Sequence, residues 1–247
     1  MKKAILLSSV LAIGAAFATE VTSGNAIGVL KFSTTDRPAV MLVAVPFAGY
    51  GSAACNVKVT DLISTAGLPD GTILRAARET QGEYDVWHLV NGQWEPSEVV
   101  TINAAGQGKI SNAGSADDKA IGRGNSVWLD FSGLTKPANV TLLGQMPGSG
   151  SLTLASGKWS LIGNPGVAND FDIIGAIVKA GNGDKICIQH TSGTLTTYER
   201  SDSDWWTRDP DTGIPGEVTT LYIKNGEGCW YFANGTDREL NFEGEMK

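Results

Sequence analysis

Ile121–Gly133 reads IGRGNSVWLDFSG, and Ile223–Gly235 reads IKNGEGCWYFANG. The two stretches align without a gap, with Ile121 on Ile223, Gly124 on Gly226, Trp128 on Trp230 and Gly133 on Gly235. Each holds a glycine-containing turn, an aromatic run that favours extended backbone and a closing glycine, the pattern of a short strand between two turns. Matching outward from this pair keeps the order. Leu42–Pro46 (LVAVP) falls on Leu161–Pro165 (LIGNP), Asp61–Ile63 on Asp172–Ile174, and Asp70–Leu74 (DGTIL) on Asn182–Ile186 (NGDKI). Tyr84 and Trp94 fall on Tyr198 and Trp206, while Val140, Leu142, Gly144 and Met146 fall on Leu240, Phe242, Gly244 and Met246. A collinear series of this kind is the mark of an internal repeat.

The expected fold is therefore all-β, with two tandem, duplicated small β-sandwich or barrel units over residues 25–146 and 152–246. The stretch 147–151 (PGSGS) reads as a flexible linker. Leu42–Val45 and Leu161–Ile162 read as buried strands that stop before Pro46 and Pro165, because proline cannot donate to a central ladder. At most one short helix is expected per unit. Asp61 and Asp172 can cap it, Leu62 and Ile63, or Ile173 and Ile174, turn inward, and Gly67 and Gly181 end it. The first unit carries an insertion between Trp94 and Ile121 rich in Gly, Ala, Ser and Asn, which reads as an exposed loop.

The order of Pro, then Gly-Asp-x-Ile, then Trp, then Gly-x-Gly-x-Trp-Tyr, then Leu-x-x-x-Gly resembles a β-repeat of exported proteins of environmental bacteria. Asn164-Pro165, Gly183–Ile186 and Gly226–Tyr231 carry the likeness, and the first unit departs from it with Val45 for Asn164 and Asn125-Ser126 for Glu227-Gly228. The resemblance implies export and an all-β repeat. It implies no activity and assigns no site residue.

Residues 1–18 have the form of a secretory signal. Lys2 and Lys3 precede the apolar run Ala4–Ala16, and Ala16-Phe17-Ala18 is a small-x-small cleavage site. The expected location is the periplasm, the cell surface or the medium, with no membrane span after cleavage. The chain has 19 Lys and Arg against 26 Asp and Glu, and loss of Lys2 and Lys3 leaves 17 against 26, a net charge of −9. An acidic chain without a basic cluster is a poor match for phosphate backbones, so nucleic acid is not an expected partner.

Glycan rings present flat C–H faces that stack on the electron-rich faces of aromatic side chains. Among the seven Trp, Trp128, Trp230, Trp94 and Trp206 recur and read as core anchors. Trp205 and Trp87 recur less clearly and read as the candidate sugar-stacking rings, with Asp204 and Arg208 as hydrogen-bonding neighbours. Asp209-Pro-Asp211-Thr-Gly213 resembles the start of a calcium loop, to which Asp202 and Asp204 could add oxygens; the ordinary reading is an Asp/Pro/Gly turn. No other cofactor is expected, and His88 and His190 lack a local nucleophile and orienting acid.

The odd count of three cysteines leaves at least one thiol unpaired in an oxidising compartment. Cys187 and Cys229 stand where the first unit has Arg75 and Val127. If Trp230 and the isoleucines beside Cys187 face one core, the two sulfurs share the other face and can bond. The alternative is two thiols filling small gaps, with Cys55 free in either case.

These features point to an exported, non-enzymatic structural or adhesive protein of the cell surface or periplasm, with glycans or other envelope components as partners. Unpaired strand edges add self-association. The alternative is a carbohydrate-binding module. A polysaccharide hydrolase stands third, since its carboxylate pair is a spatial and not a sequential pattern.

Overall fold

The computed structural model describes residues 27–49, 56–102, 108–111, 120–146, 148–208 and 215–242. The expected signal segment, Cys55, half of the insertion (103–107 and 112–119), Asp209, Asp211 and Gly244 lie outside them, and the described half of the insertion, read as a loop, is strand. The chain is all-β, and its described residues include two four-residue helices.

The first half contains β1 (Ile27–Ser33), β2 (Val40–Ala44), β3 (Asn56–Lys58), α1 (Val59–Leu62), β4 (Ile73–Ala77), β5 (Glu83–Val90), β6 (Gln93–Ile102), β7 (Gly108–Ser111), β8 (Ala120–Gly122), β9 (Ser126–Asp130) and β10 (Asn139–Gln145). Its strands form a six-stranded sheet in the order β2-β9-β4-β5-β6-β7 and the pairs β1-β10 and β3-β8. The second half contains β11 (Gly150–Leu154), β12 (Trp159–Gly163), β13 (Phe171–Asp172), α2 (Ile173–Ala176), β14 (Ile177–Val178), β15 (Lys185–Gln189), β16 (Leu195–Ser201), β17 (Asp204–Arg208), β18 (Pro215–Val218), β19 (Tyr222–Ile223), β20 (Gly228–Phe232) and β21 (Arg238–Phe242). Its strands form a six-stranded sheet in the order β12-β20-β15-β16-β17-β18, the set β11-β21-β14 and the pair β13-β19. The two large sheets thus have the same strand order. Each half has its own core, one around Leu74, Trp87 and Leu129, the other around Ile186, Trp205 and Tyr231.

Hydrogen bonds fix which residues correspond, and they revise part of the sequence alignment. Gly71 N donates to Leu89 O and Leu89 N to Thr72 O, as Gly183 N does to Arg200 O and Arg200 N to Asp184 O. Leu89 pairs with Trp94 and Arg200 with Trp205, so the counterpart of Trp94 is Trp205, not Trp206. Leu74 pairs with Trp87 and Ile186 with Tyr198, so Tyr198 stands where Trp87 does, not where Tyr84 does. The cause is the connection before these strands. Six residues separate Ala77 from Tyr84 and five separate Gln189 from Leu195, a one-residue difference that moves Trp94 from Trp205 onto Trp206, whereas the Tyr84–Tyr198 match lies three places out and rests on residue type alone. The last strand is shifted too. Ile63 bridges Leu142 and Ile177 pairs with Leu240, which makes Leu240 the counterpart of Leu142. Asp172 caps α2 by accepting from Ile174 N at 3.2 Å. At α1 the capping position is Lys58, which offers no acceptor, and Asp61 lies inside the helix, so Asp61 is not the cap. The helices end at Leu62 and Ala176, before Gly67 and Gly181.

The halves meet through equivalent residues. Ala44 N donates to Gly226 O at 3.2 Å and Gly163 N to Gly124 O at 2.8 Å, and Val43 bridges Glu227 as Ile162 bridges Asn125. Each contact is the reciprocal of another, the pattern of an isologous interface. The approach requires small residues. A Cβ on Gly163 would lie 2.6 Å from Ala44 Cα, and one on Gly228 would lie 2.7 Å from Ser126 Cβ. Beside them the Trp128 and Trp230 rings touch, with centroids 5.2 Å apart. The recurrence of these tryptophans therefore reflects the junction between the halves. Neither belongs to its own half's core.

One buried polar cluster belongs to the second half alone. Asp184 is fully buried and accepts from Tyr231 Oη at 2.6 Å, Arg238 Nε at 2.7 Å, Asn234 N at 2.7 Å and Gly181 N at 2.8 Å. Its counterparts in the first half are Thr72, Leu129 and Val140, all buried without an ion pair. Burial pushes the Asp184 carboxyl up, but the hydrogen bonds from Arg238, Tyr231 and the two backbone amides outweigh it and hold the group below its ordinary value.

Two predictions follow from these contacts. Gly163→Ala should destabilise the chain by about 1–3 kcal/mol in urea unfolding through overpacking against backbone, while Gly216→Ala, where nothing lies within 4 Å, should be near neutral. For Asp184 the folded value is depressed, so its contribution is complete above the unfolded value of about 3.9 and is lost as pH falls from there through the folded value. Asp184→Asn should cost about 3–5 kcal/mol near neutrality by leaving Arg238 without its counter-charge. Urea midpoints measured from neutral pH down into the acid range should fall less steeply in that variant than in the native chain.

Candidate functional site

Residues directly opposite one another in an antiparallel ladder point to the same face. Following the register across the second large sheet gives a single row: Trp159 opposite Phe232, Phe232 opposite Lys185, Lys185 opposite Glu199, Glu199 opposite Trp206, and Trp206 opposite Glu217. This row lies on the face turned away from the core, because its neighbours along the strands, Tyr231, Ala233, Ile186 and Trp205, are core residues. Trp159 is 39% exposed, Glu199 and Glu217 are exposed, and Phe232, Lys185 and Trp206 are half-buried. The same row in the first half reads Val40, Asp130, Ile73, His88 and Glu95. One backbone scaffold therefore carries an aromatic stripe in one half and none in the other.

Trp159 and Phe232 form one platform, with ring centroids 5.5 Å apart and planes at 49°. Trp206 forms a second. Between them Lys185 Nζ lies 3.3 Å from Glu199, an ion pair open enough to solvent to contribute little to stability and to leave both groups reachable. Two depressions run along this face. One, of about 450 Å³, lies between Trp159, Leu161 and Trp230 and the β4–β5 hairpin of the first half, which adds Arg78, Gln81 and Tyr84. The other, of about 730 Å³, runs along Thr197, Glu199 and Trp206. Leu195 borders both.

The first half completes the site with an anchored hairpin. Arg78 Nη1 donates to Asp85 at 2.7 Å and its Nε lies 3.7 Å from Glu83. Burial raises the Tyr84 phenol above its ordinary value, against the lowering effect of Arg75, so it stays protonated. A further depression of about 750 Å³ lies between Arg123, Asn164 and Asp170. Its polar groups are largely committed within the protein. Arg123 donates to the carbonyls of Pro165 and Gly148, and the Asn164 amide bonds Asn169 O, Ile223 O, Asn225 Oδ1 and Gly166 N. The stripe is the better candidate because Trp159 and the Lys185–Glu199 pair are open to solvent and Trp206 is partly so.

The structure reverses the sequence reading of the adjacent tryptophans. Trp205 is 2% exposed and Trp87 is fully buried, so neither presents a ring to a ligand. Trp206, read as a core anchor, lies on the open face. Alternation correctly put Trp205 and Trp206 on opposite faces; Trp205 turned inward and shares the core with Ile186 on β15 and Tyr231 on β20. Asp204 is half-buried at the end of β17 and accepts from Ser203 Oγ at 3.1 Å. Asp202 occupies the preceding turn at φ 57°. The side chain of Arg208 and the whole of Asp209 and Asp211 lie outside the described residues, and among those described no three His, Cys, Asp or Glu side chains cluster as metal ligands. Trp159, Phe232 and Lys185 were missed. The signal available was their two-residue spacing from Leu161, Trp230 and Cys187, which puts each pair on one face.

Cys187 and Cys229 are both free thiols. Cys187 pairs with Trp230 and so shares its face, bordering the depression next to that ring. Cys229 precedes Trp230 and lies in the core. The condition for a bond, Trp230 and the isoleucines on one face, is not met, because Ile186 lies in the core and Trp230 on the other side. Burial raises both thiols, so neither is an activated thiolate.

Comparison with family models, curated proteins and solved structures finds no match to this chain. The site therefore rests on its own geometry. Alkylation of the unfolded chain without reductant, followed by intact-mass and peptide analysis, should label both Cys187 and Cys229. Protection of the pair that reductant reverses would contradict the face assignment.

Proposed function

We propose that this chain is an exported, non-enzymatic adhesive protein that binds polysaccharide through the open face of its second large sheet. The observation that carries the reading is the row of Trp159, Phe232, Lys185, Glu199 and Trp206 in one ladder register. Aromatic faces supply apolar contact with the C–H side of a pyranose ring. Lys185 and Glu199 supply a donor and an acceptor for hydroxyl groups between the platforms. Absence of the stripe from the equivalent row of the first half supports a role beyond folding, since that half builds the same sheet without it. Export follows from the leader form of residues 1–18, and an acidic chain on the outside of a cell meets glycans as abundant neutral partners.

Screening the mature protein on a glycan array tests the proposal. The expected result is binding to a subset of polysaccharides that is lost by about tenfold or more in affinity when Trp206→Ala or Trp159→Ala is introduced. Unchanged glycan binding in the double variant would sink the assignment of the site, and turnover of any bound glycan would replace adhesion with hydrolysis.

A further inference from the structure

Resting on that reading, we infer that the face takes a single, soluble, uncharged chain of β-linked pyranose units, and that it rejects both crystalline polysaccharide and polyanionic glycans. The two aromatic platforms define the length. In strand order Trp159 on β12 and Trp206 on β17 are separated by β20, β15 and β16. At about 4.8 Å per strand the stripe spans roughly 19 Å. That strand spacing is close to the advance of one unit in an extended β-linked pyranose chain, so four advances, and hence about five units, cover both platforms. A monosaccharide or disaccharide reaches one platform only.

The twist of the sheet sets the form of the ligand. Neighbouring strands rotate by about 20° in a constant hand, so the ends of the stripe differ in direction by roughly 80°. A flat crystalline surface can lie on one platform but not on both. A single hydrated chain can twist about its glycosidic bonds and follow the row. The Tyr84 hairpin standing over the Trp159 end makes the same distinction, because it turns an open face into a groove closed on one side. Charge sets the remaining limit. Lys185 and Glu199 offset each other, and the exposed Glu217 leaves the stripe with a net negative charge at its Trp206 end, so a glycan bearing carboxylates or sulfates meets like charge there and gains no unpaired cation on the row.

Titration calorimetry with xylo-, cello- and manno-oligosaccharides from disaccharide to octasaccharide provides the test, with oligogalacturonate as the charged probe and insoluble cellulose and chitin in depletion assays. In at least one neutral series, affinity should rise by about tenfold or more from disaccharide to hexasaccharide and then level off. Trp206→Ala should reduce the hexasaccharide to the affinity of the disaccharide. Trp206→Tyr, which keeps a ring at that position, should restore most of the gain and so separates loss of the platform from loss of fold. Oligogalacturonate should bind about tenfold or more weakly, and the insoluble polymers should leave the protein in solution. Equal affinity for disaccharide and hexasaccharide, with binding still lost in Trp159→Ala, would overturn the extended chain and leave glycan binding standing. Depletion by cellulose or chitin, or tight binding of oligogalacturonate, would overturn the choice of ligand class. Failure of every probe, on a protein that also binds nothing on the array, would remove the glycan reading and this inference together.

Discussion

Steric exclusion at a few backbone atoms governs the arrangement of the whole chain. Where β2 crosses β12, and where the turns before β9 and β20 approach the opposite half, there is no room for an additional carbon at Gly163 or Gly228. The partners at these points are Ala44 and Ser126, also small. Close approach brings backbone donors and acceptors of the two halves within bonding distance, so polar groups at the sheet edges are satisfied where water is excluded. It also brings Trp128 against Trp230, and it carries the β4–β5 hairpin of the first half over the outer face of the second. The wall of the candidate site thus depends on residues that have no side chain to contribute to it.

Strand class, turn positions and the collinear order were legible because each rests on local chemistry: period-two alternation, glycine at left-handed turns, proline at strand ends. Gly71 and Gly183, for instance, both hold positive φ at the turns that precede β4 and β15. The alignment failed where loop length and not residue type sets the register. The one-residue difference between the preceding connections paired Trp94 with Trp206, while Tyr84 and Tyr198 share a residue type but lie three places apart in register. The site was hard to see for a related reason. Adjacent strand residues point opposite ways, yet the direction of the core is set by other strands of the sheet, for Trp205 by Ile186 and Tyr231, 19 and 26 residues away. Recurrence misled as well. Trp128 and Trp230 recur because each is the other's contact, a constraint that resembles core conservation of type in a single sequence.

The two large sheets have the same strand order and differ in chemistry. The second holds its core together partly with the Asp184, Tyr231 and Arg238 cluster, where the first uses Thr72, Leu129 and Val140. A buried ion pair is not intrinsically more stabilising than apolar packing of the same volume, so either solution supports the sheet. The outer faces have separated further. Val40, Asp130, Ile73, His88 and Glu95 occupy in the first half the row that carries rings and an ion pair in the second. The first half acts as support for the second by supplying the junction and the Tyr84 hairpin.

The short stretch between β10 and β11 gives this arrangement a further property. Two halves joined by so few residues experience one another at an effective concentration on the order of millimolar or above. Their contact surface therefore needs little intrinsic affinity to remain closed. Surface that separate subunits would have to bury for association can instead be left in water. Tethering in this way lets a groove persist at the seam, bordered by Trp159 on one side and Tyr84 on the other.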